Sequence, residues 1–137
     1  MSVLQDDNLP FEASMLDRLA EVSIRVGLNL QEGQDLIITG SVEALPLIRR
    51  LSAEAYRNGA GLVSTLLSDD LLQISRYQYS SDDYLDRAPD WIFKAMGEAY
   101  NNNTARLAVI ADNPLLLTGQ DPSRVARIGK AMSIASK

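Results

Sequence analysis

Neither histidine nor cysteine occurs anywhere in this 137-residue chain. Imidazole and thiolate are the usual soft metal ligands, and histidine is the usual general base near neutral pH. Their absence excludes zinc fingers, cysteine nucleophiles and Ser-His-Asp triads built from this polypeptide alone. It also excludes disulfides, so nothing in the composition points to an oxidising compartment. Lysine is scarce (Lys94, Lys130 and Lys137), and the arginines are dispersed within a formal net charge of −5. A phosphate-tracking surface needs clustered cations, so nucleic-acid binding is not expected. No apolar run approaches the roughly 20 residues that cross a bilayer, so no membrane role is expected. Met1–Phe11 carries Asp6 and Asp7 and lacks the basic-then-apolar order of a secretory signal, leaving cytoplasm as the expected location.

The residues present, 46% of them hydrophobic, suffice for one globular domain with a real core. Residues 1–13 read as a flexible leading segment. From Ser14, the residues Met15, Leu16, Leu19, Ala20, Val22 and Val26 recur at helical spacing and predict an apolar stripe. Ser14 with Asp17 resembles a capping box, and Gly27 stands where a left-handed residue would end the helix.

A turn over Gln31–Gln34 feeds Asp35–Thr39, a β-branched run suited to a strand buried on both faces. Ser41 is placed to cap a helix reaching about Asn58, with Pro46 in its first turns and Leu45, Ile48, Leu51, Ala55 and Tyr56 facing the core. Gly59-Ala60-Gly61 ends it, and Leu62–Leu67 predicts a second strand. A helix follows from Asp69 to Tyr77, then a polar stretch from Ser80 to Asp86. Pro89 opens another helix, with Ile92, Ala95, Met96 and Ala99 on one face, ended by Asn101–Asn103. Leu107–Ala111 predicts the third strand. Asp121-Pro122 reads as the cap and first-turn proline of a last helix, with Val125, Ile128 and Met132 inward.

Strands alternating with helices imply crossovers and a parallel sheet. The expected class is α/β, three-layer and Rossmann-like in the broad sense, with about three parallel strands flanked by helices. In such sheets the ligand crevice lies beyond the carboxyl ends of the strands. Those ends carry Ser41 and Glu43, Asp69 and Asp70, and Asp112 and Asn113. The residues are candidate contacts with substrate or a neighbouring domain, although Ser41 and Asp69 equally suit helix caps. Asp69, Asp70 and Asp112 are hard-cation ligand types, yet aspartate is common at strand-to-helix turns. Asp82, Asp83, Asp86 and Asp90 read as a solvated loop and helix start. Gly59-Ala60-Gly61 is not a dinucleotide fingerprint, because it closes a helix instead of opening one. Neither a phosphate loop nor the aspartate pair of a receiver domain is found. Trp91 and Tyr77, Tyr79, Tyr84 and Tyr100 are core or interface material, the tyrosines near the polar stretch being candidate domain contacts.

Several segments are similar, in order and spacing, to one family. They are Leu16–Glu21 continuing into Arg25–Gln34, Val42–Leu47, Tyr56–Leu62, Ser68–Asp70, Arg106–Pro114 and Gly119–Pro122. Together they resemble the opening of the thermophilic metallo-aminopeptidases, the aminopeptidase T and S family, from about Phe11 to Lys130. Glu32 departs from the proline expected before Gly33. The resemblance implies an exopeptidase that removes N-terminal amino acids from peptides with two divalent metal ions of the zinc or cobalt type. Its ligands would be glutamates, histidines and an aspartate in a C-terminal catalytic domain. No catalytic, cofactor-binding or metal-binding residue can be carried onto this chain. The resemblance thus implies an N-terminal domain that is inactive alone, partnered by the catalytic domain of the same polypeptide, with the parent a homodimer acting on peptides. The last predicted helix reaches the final residue without a stop signal, as in a chain cut short. The alternative is a free-standing α/β module that binds a small molecule or a protein.

Overall fold

The computed structural model describes residues 13–110 and 117–136. Its contacts fall into two compact units, one built from residues 13–68 and 103–110 and the other from 69–102 and 117–136.

The first unit opens with helix α1 (Ala13–Val22), which widens into a π-helical turn over Ser23–Gly27. Strand β1 (Leu36–Ser41) leads through a 3-10 turn at Val42–Ala44 into helix α2 (Leu45–Arg57), and strand β2 (Val63–Ser68) follows. The chain then leaves for the second unit and returns as β3 (Ala105–Val109). The strands are parallel in the order β2-β1-β3, with Leu36 level with Val63 on one side and Ala105 on the other. The α/β class and small parallel sheet expected from the sequence are what the structure has.

Alternation in β1 sends Leu36 and Ile38 into the core, where both are fully buried. They meet Ala20 and Ile24 of the first helical segment and Ile48, Leu51 and Ala55 of α2. The opposite face is less covered than a doubly buried strand, for Ile37 and Thr39 are only half-buried. Gly40 is required by packing, since a Cβ there would lie 2.9 Å from Ile48 Cδ1 and 3.1 Å from the Val109 carbonyl oxygen.

α1 corrects the sequence reading in three ways. Its apolar residues divide between two faces: Leu16, Ala20 and Ile24 turn inward, whereas Met15, Leu19, Val22 and Val26 are exposed. Ser14 lies inside the helix, and the Asp17 carboxylate accepts a 2.9 Å hydrogen bond from Arg50 Nε in place of a capping role. Gly27 is not the left-handed residue; that conformation falls to Asn29 at φ 49°, after the wider π turn has moved the stop downstream. Residues 1–12 of the predicted leading segment lie outside the described residues, and Ala13 already belongs to α1.

The Gly-Ala-Gly segment has a mechanical explanation. Gly59 takes φ 88°, a left-handed conformation that ends α2. Gly33 N–H donates to the Gly59 carbonyl at 2.6 Å and Gly61 N–H to the Gln34 carbonyl at 2.9 Å, so the turns before β1 and β2 are joined. At Gly61 the backbones run so close that a Cβ would sit 2.6 Å from both the Gly33 carbonyl oxygen and Asp35 Oδ1. Tyr56, expected in the core, is half exposed, and its hydroxyl accepts a hydrogen bond from Val63 N–H at the start of β2.

The second unit holds α3 (Asp70–Tyr79), a 3-10 turn at Asp82–Tyr84, α4 (Asp90–Asn101) and α5 (Pro122–Ala135). Asp121 caps α5 by accepting from Ser123 N–H at 2.9 Å, with Pro122 in the first turn, as its sequence indicates. Leu85 is fully buried and Ile128 nearly so. On α4, Ile92, Met96 and Ala99 are half-buried while Ala95, expected on the same face, is exposed. The end of the third predicted strand, Ala111, lies outside the described residues, and β3 begins two residues earlier than expected, at Ala105.

Gly61→Ala is expected to destabilise the chain by about 1–3 kcal/mol, because a methyl group there forces apart two backbones instead of one flexible side chain. Urea unfolding followed by circular dichroism measures it. A midpoint equal to that of the unsubstituted chain would refute the close approach.

Candidate functional site

Ser41 closes β1 and is buried, its hydroxyl oxygen accepting a 3.3 Å hydrogen bond from Glu43 N–H. Glu43 is exposed in the following 3-10 turn. In the second unit, Asp69 Oδ1 accepts from Leu71 N–H at 3.2 Å and caps α3. Asp70 occupies the first turn, where a carboxylate suits the positive end of the helix dipole. The structure thus joins Ser41 to Glu43 and Asp69 to its helix, each through a cap. Asp112 and Asn113 lie outside the described residues.

The two-metal chemistry implied by the resemblance needs several convergent donors. With no histidine or cysteine in the chain, carboxylates would have to supply them. Among the described residues no three acidic side chains gather closely enough to hold a metal ion. Many are committed elsewhere. Asp17 holds Arg50, Asp35 accepts from Leu62 N–H, Glu21 pairs with Arg25, and Asp82 and Asp86 pair with Arg124 and Arg127. The described residues therefore do not fit the metal pair, and no catalytic step can be derived through them.

Composition had marked the Ser80–Asp86 stretch as a solvated acidic loop. Its polar residues from Ser81 to Asp83 and Asp86 are exposed while Leu85 is buried, and three arginines hold it. Arg124 donates from Nε to the Tyr77 carbonyl at 2.8 Å, and its two terminal nitrogens reach Asp82 Oδ1 and the Ser80 carbonyl. Arg127 grips both oxygens of Asp86, at 3.1 and 2.7 Å, and donates to the Asp82 carbonyl at 2.9 Å. Arg76 donates to the Tyr84 and Arg87 carbonyls, while the Arg87 guanidinium lies 5.8 Å over the Tyr84 ring. The hydrogen bond from Arg127 holds the Asp86 carboxyl below the usual carboxylate range, and Asp86 in turn raises the Arg127 guanidinium. Sequence reasoning missed Arg124 and Arg127 because partners some 40 residues apart leave no periodic signal. Their shared helical face, with Arg124 and Arg127 three residues apart on α5, was the available clue.

A shallow groove of about 500 Å³ runs along α1, with Ser14, Met15, Arg18, Leu19 and Val22 in its lining. These side chains include no pair of a nucleophile and a base.

These features define the class as α/β with a small parallel sheet, in which Ser41 and Asp69 serve as caps and Arg50, Arg124 and Arg127 pair with carboxylates. Comparison with known proteins carries this further. The chain belongs to the family described as thermophilic metalloprotease (M29), whose sequence profile matches residues 12–137. It is similar to "Aminopeptidase T" of Thermus aquaticus, with 43% identity over 120 residues, covering 88% of this chain and 29% of that protein. "Aminopeptidase AmpS" of Bacillus subtilis is 30% identical over 116 residues, covering 85% of this chain and 28% of its own length. Among solved structures, wild-type AmpT from Thermus thermophilus superposes with a TM-score of 0.86 at 40% identity, covering 88% of this chain and 30% of that one. The chain thus spans about 30% of the length of these relatives.

The Asp86–Arg127 pair makes stability depend on pH in a fixed direction. A carboxyl held below its unfolded value of about 3.9 stabilises the fold above that pH, and the contribution is lost as pH falls through the lower folded value. Asp86→Asn is therefore expected to lower Tm at pH 7, with the difference from the unsubstituted chain shrinking below about pH 4. Thermal melts across pH, repeated in high salt that screens this exposed pair, provide the check. An equal difference at pH 7 and in strong acid would refute the assignment.

Proposed function

We propose that this chain is the N-terminal, non-catalytic domain of a metal-dependent aminopeptidase that removes N-terminal amino acids from peptides. The observation that carries the reading is the similarity to proteins named aminopeptidases, over nearly all of this chain but only about 30% of their length. A donor set without histidine or cysteine agrees with it. In the whole protein, two divalent ions of the zinc or cobalt type would sit in a C-terminal catalytic domain. There they would lower the pKa of a bound water and polarise the scissile carbonyl. The present domain packs beside that domain and shapes access to the peptide, in a cytoplasmic enzyme that forms a homodimer. Ser41, Glu43, Asp69, Asp70, Asp112 and Asn113 are its proposed contacts with substrate or catalytic domain.

The exposed aromatic side chains of the second unit support a packing role. Trp91 is 74% exposed, Tyr79 82% and Tyr84 56%, an aromatic set of the kind enriched at protein interfaces. The purified 137-residue chain, assayed on a leucyl anilide with added zinc or cobalt, is expected to release no product above a metal-free blank. Hydrolysis that depends on the added metal would overturn the reading.

A further inference from the structure

Of the asparagines in the chain, only Asn58 is followed by glycine. Such a pair is the most prone to deamidation, because a glycine backbone nitrogen has no side chain to shield it. That nitrogen must lose its proton, and the carboxamide must turn to meet it. The fold opposes both requirements. Asn58 is the C-cap of α2 at ψ 14°, which points the Gly59 nitrogen back along the helix. Gly59 N–H there donates to the Tyr56 carbonyl at 3.0 Å, and Ala60 N–H donates to the Ala55 carbonyl at 3.0 Å.

The Asn58 carboxamide is held on both sides. Its Nδ2 donates to the Glu54 carbonyl at 2.8 Å and to Glu54 Oε1 at 3.0 Å. Its Oδ1 accepts a 3.2 Å hydrogen bond from Arg25 Nε, in the π-helical turn. Two acceptors on one side and a guanidinium on the other admit a single orientation of the amide. Arg25 is steadied in turn by Glu21 at 2.8 Å, and Glu54 by Arg57 at 3.4 Å.

We propose that Asn58 is a modification site gated by the fold, converted to aspartyl and isoaspartyl forms only when this cap opens. In the reaction the Gly59 nitrogen gives its proton to a solvent base and bonds to Asn58 Cγ. The Cγ–Nδ2 bond breaks, the proton returns to the departing nitrogen, and ammonia leaves a cyclic succinimide. Water then opens the ring at either carbonyl. Attack at Cγ gives the aspartyl form, and attack at the main-chain carbonyl gives the isoaspartyl form.

Neither product suits the cap. An aspartyl carboxylate has no donor for the Glu54 carbonyl and faces the Glu54 carboxylate, whose side chain is only 15% exposed. The isoaspartyl form adds a methylene to the main chain and displaces the Gly59 carbonyl, which accepts from Gly33 N–H at 2.6 Å. Conversion therefore weakens the joint between the turns before β1 and β2 and holds the cap open. Arg25 is the latch. Its cation also polarises the carboxamide, but to no effect while the Gly59 nitrogen stays bonded to Tyr56. The inference concerns the chain itself and stands independently of the enzyme reading.

Incubation of the 137-residue chain at mildly alkaline pH, in native buffer and in urea, with peptide mass mapping of both products, tests it. Asn58 is expected to convert at least about tenfold more slowly in native buffer. Arg25→Ala and Glu54→Ala should each speed native conversion about threefold or more while leaving the rate in urea unchanged. Amide exchange at Ile38, in the central strand, separates opening of the cap from unfolding of the core; it should rise less than the Asn58 rate. In Asn58→Asp the Gly59 amide is expected to exchange about threefold faster or more. Equal conversion in native buffer and in urea would overturn the proposal. So would slower conversion in Arg25→Ala, the mark of a guanidinium that activates the carboxamide, or an acceleration matched in full at Ile38. Unchanged Gly59 exchange in Asn58→Asp would equally contradict it.

Discussion

The first unit depends on β1 being paired along both edges while one of its faces is sealed. Leu36 and Ile38 leave water completely only because Ala20, Ile24, Ile48, Leu51 and Ala55 close over them, and that closure requires the strand to be held level. Burying a side chain of this size contributes about 1.5–3 kcal/mol, so two adjacent ones are a large fraction of a small unit's stability. β3 makes the dependence sharper. It arrives after 34 residues of the second unit, residues 69–102, and closes the sheet through its ladder with β1. Ala105 N–H donating to the Asp35 carbonyl, and Gln34 Nε2 donating to the Asn103 carbonyl, fix where it enters.

Much of this was legible because the signals are local. Asp35–Thr39 is short, apolar and β-branched, which makes it a strand. Asp121-Pro122 supplies a cap whose geometry follows from residue type alone, whereas Ser41, expected to cap α2, caps the 3-10 turn before it. Gly59 is legible for the same reason, since helix ends favour a residue tolerant of positive φ. The helix α1 was harder to read. A helix whose apolar residues spread over two faces does not state which of them meets the core, and only packing selects Leu16, Ala20 and Ile24 over Met15, Leu19 and Val22. The π turn then shifted the end of the helical segment past Gly27, an adjustment that periodicity cannot foresee.

The polar residues divide along the same line. Caps at Ser41, Asp69 and Asp121 lie within two residues of their partners and could be read from the sequence. The Arg50–Asp17 pair and the grip of Arg124 and Arg127 on the 80–86 loop join residues 33 to 45 positions apart, and charge counting treats them as dispersed surface arginines. The missing histidine and cysteine acquire a more definite meaning beside this inventory. Among the described residues the carboxylates support helices and bind arginines, and they do not converge as metal ligands. Under the proposed reading, the chemistry of the metalloprotease family to which the chain belongs lies on residues beyond those described.

Metal affinity is the direct measure of that claim. Isothermal titration of zinc or cobalt into the 137-residue chain should give no saturable heat at micromolar metal, with Tm unchanged by either ion. Stoichiometric binding tighter than about 1 µM, accompanied by a rise in Tm, would contradict it.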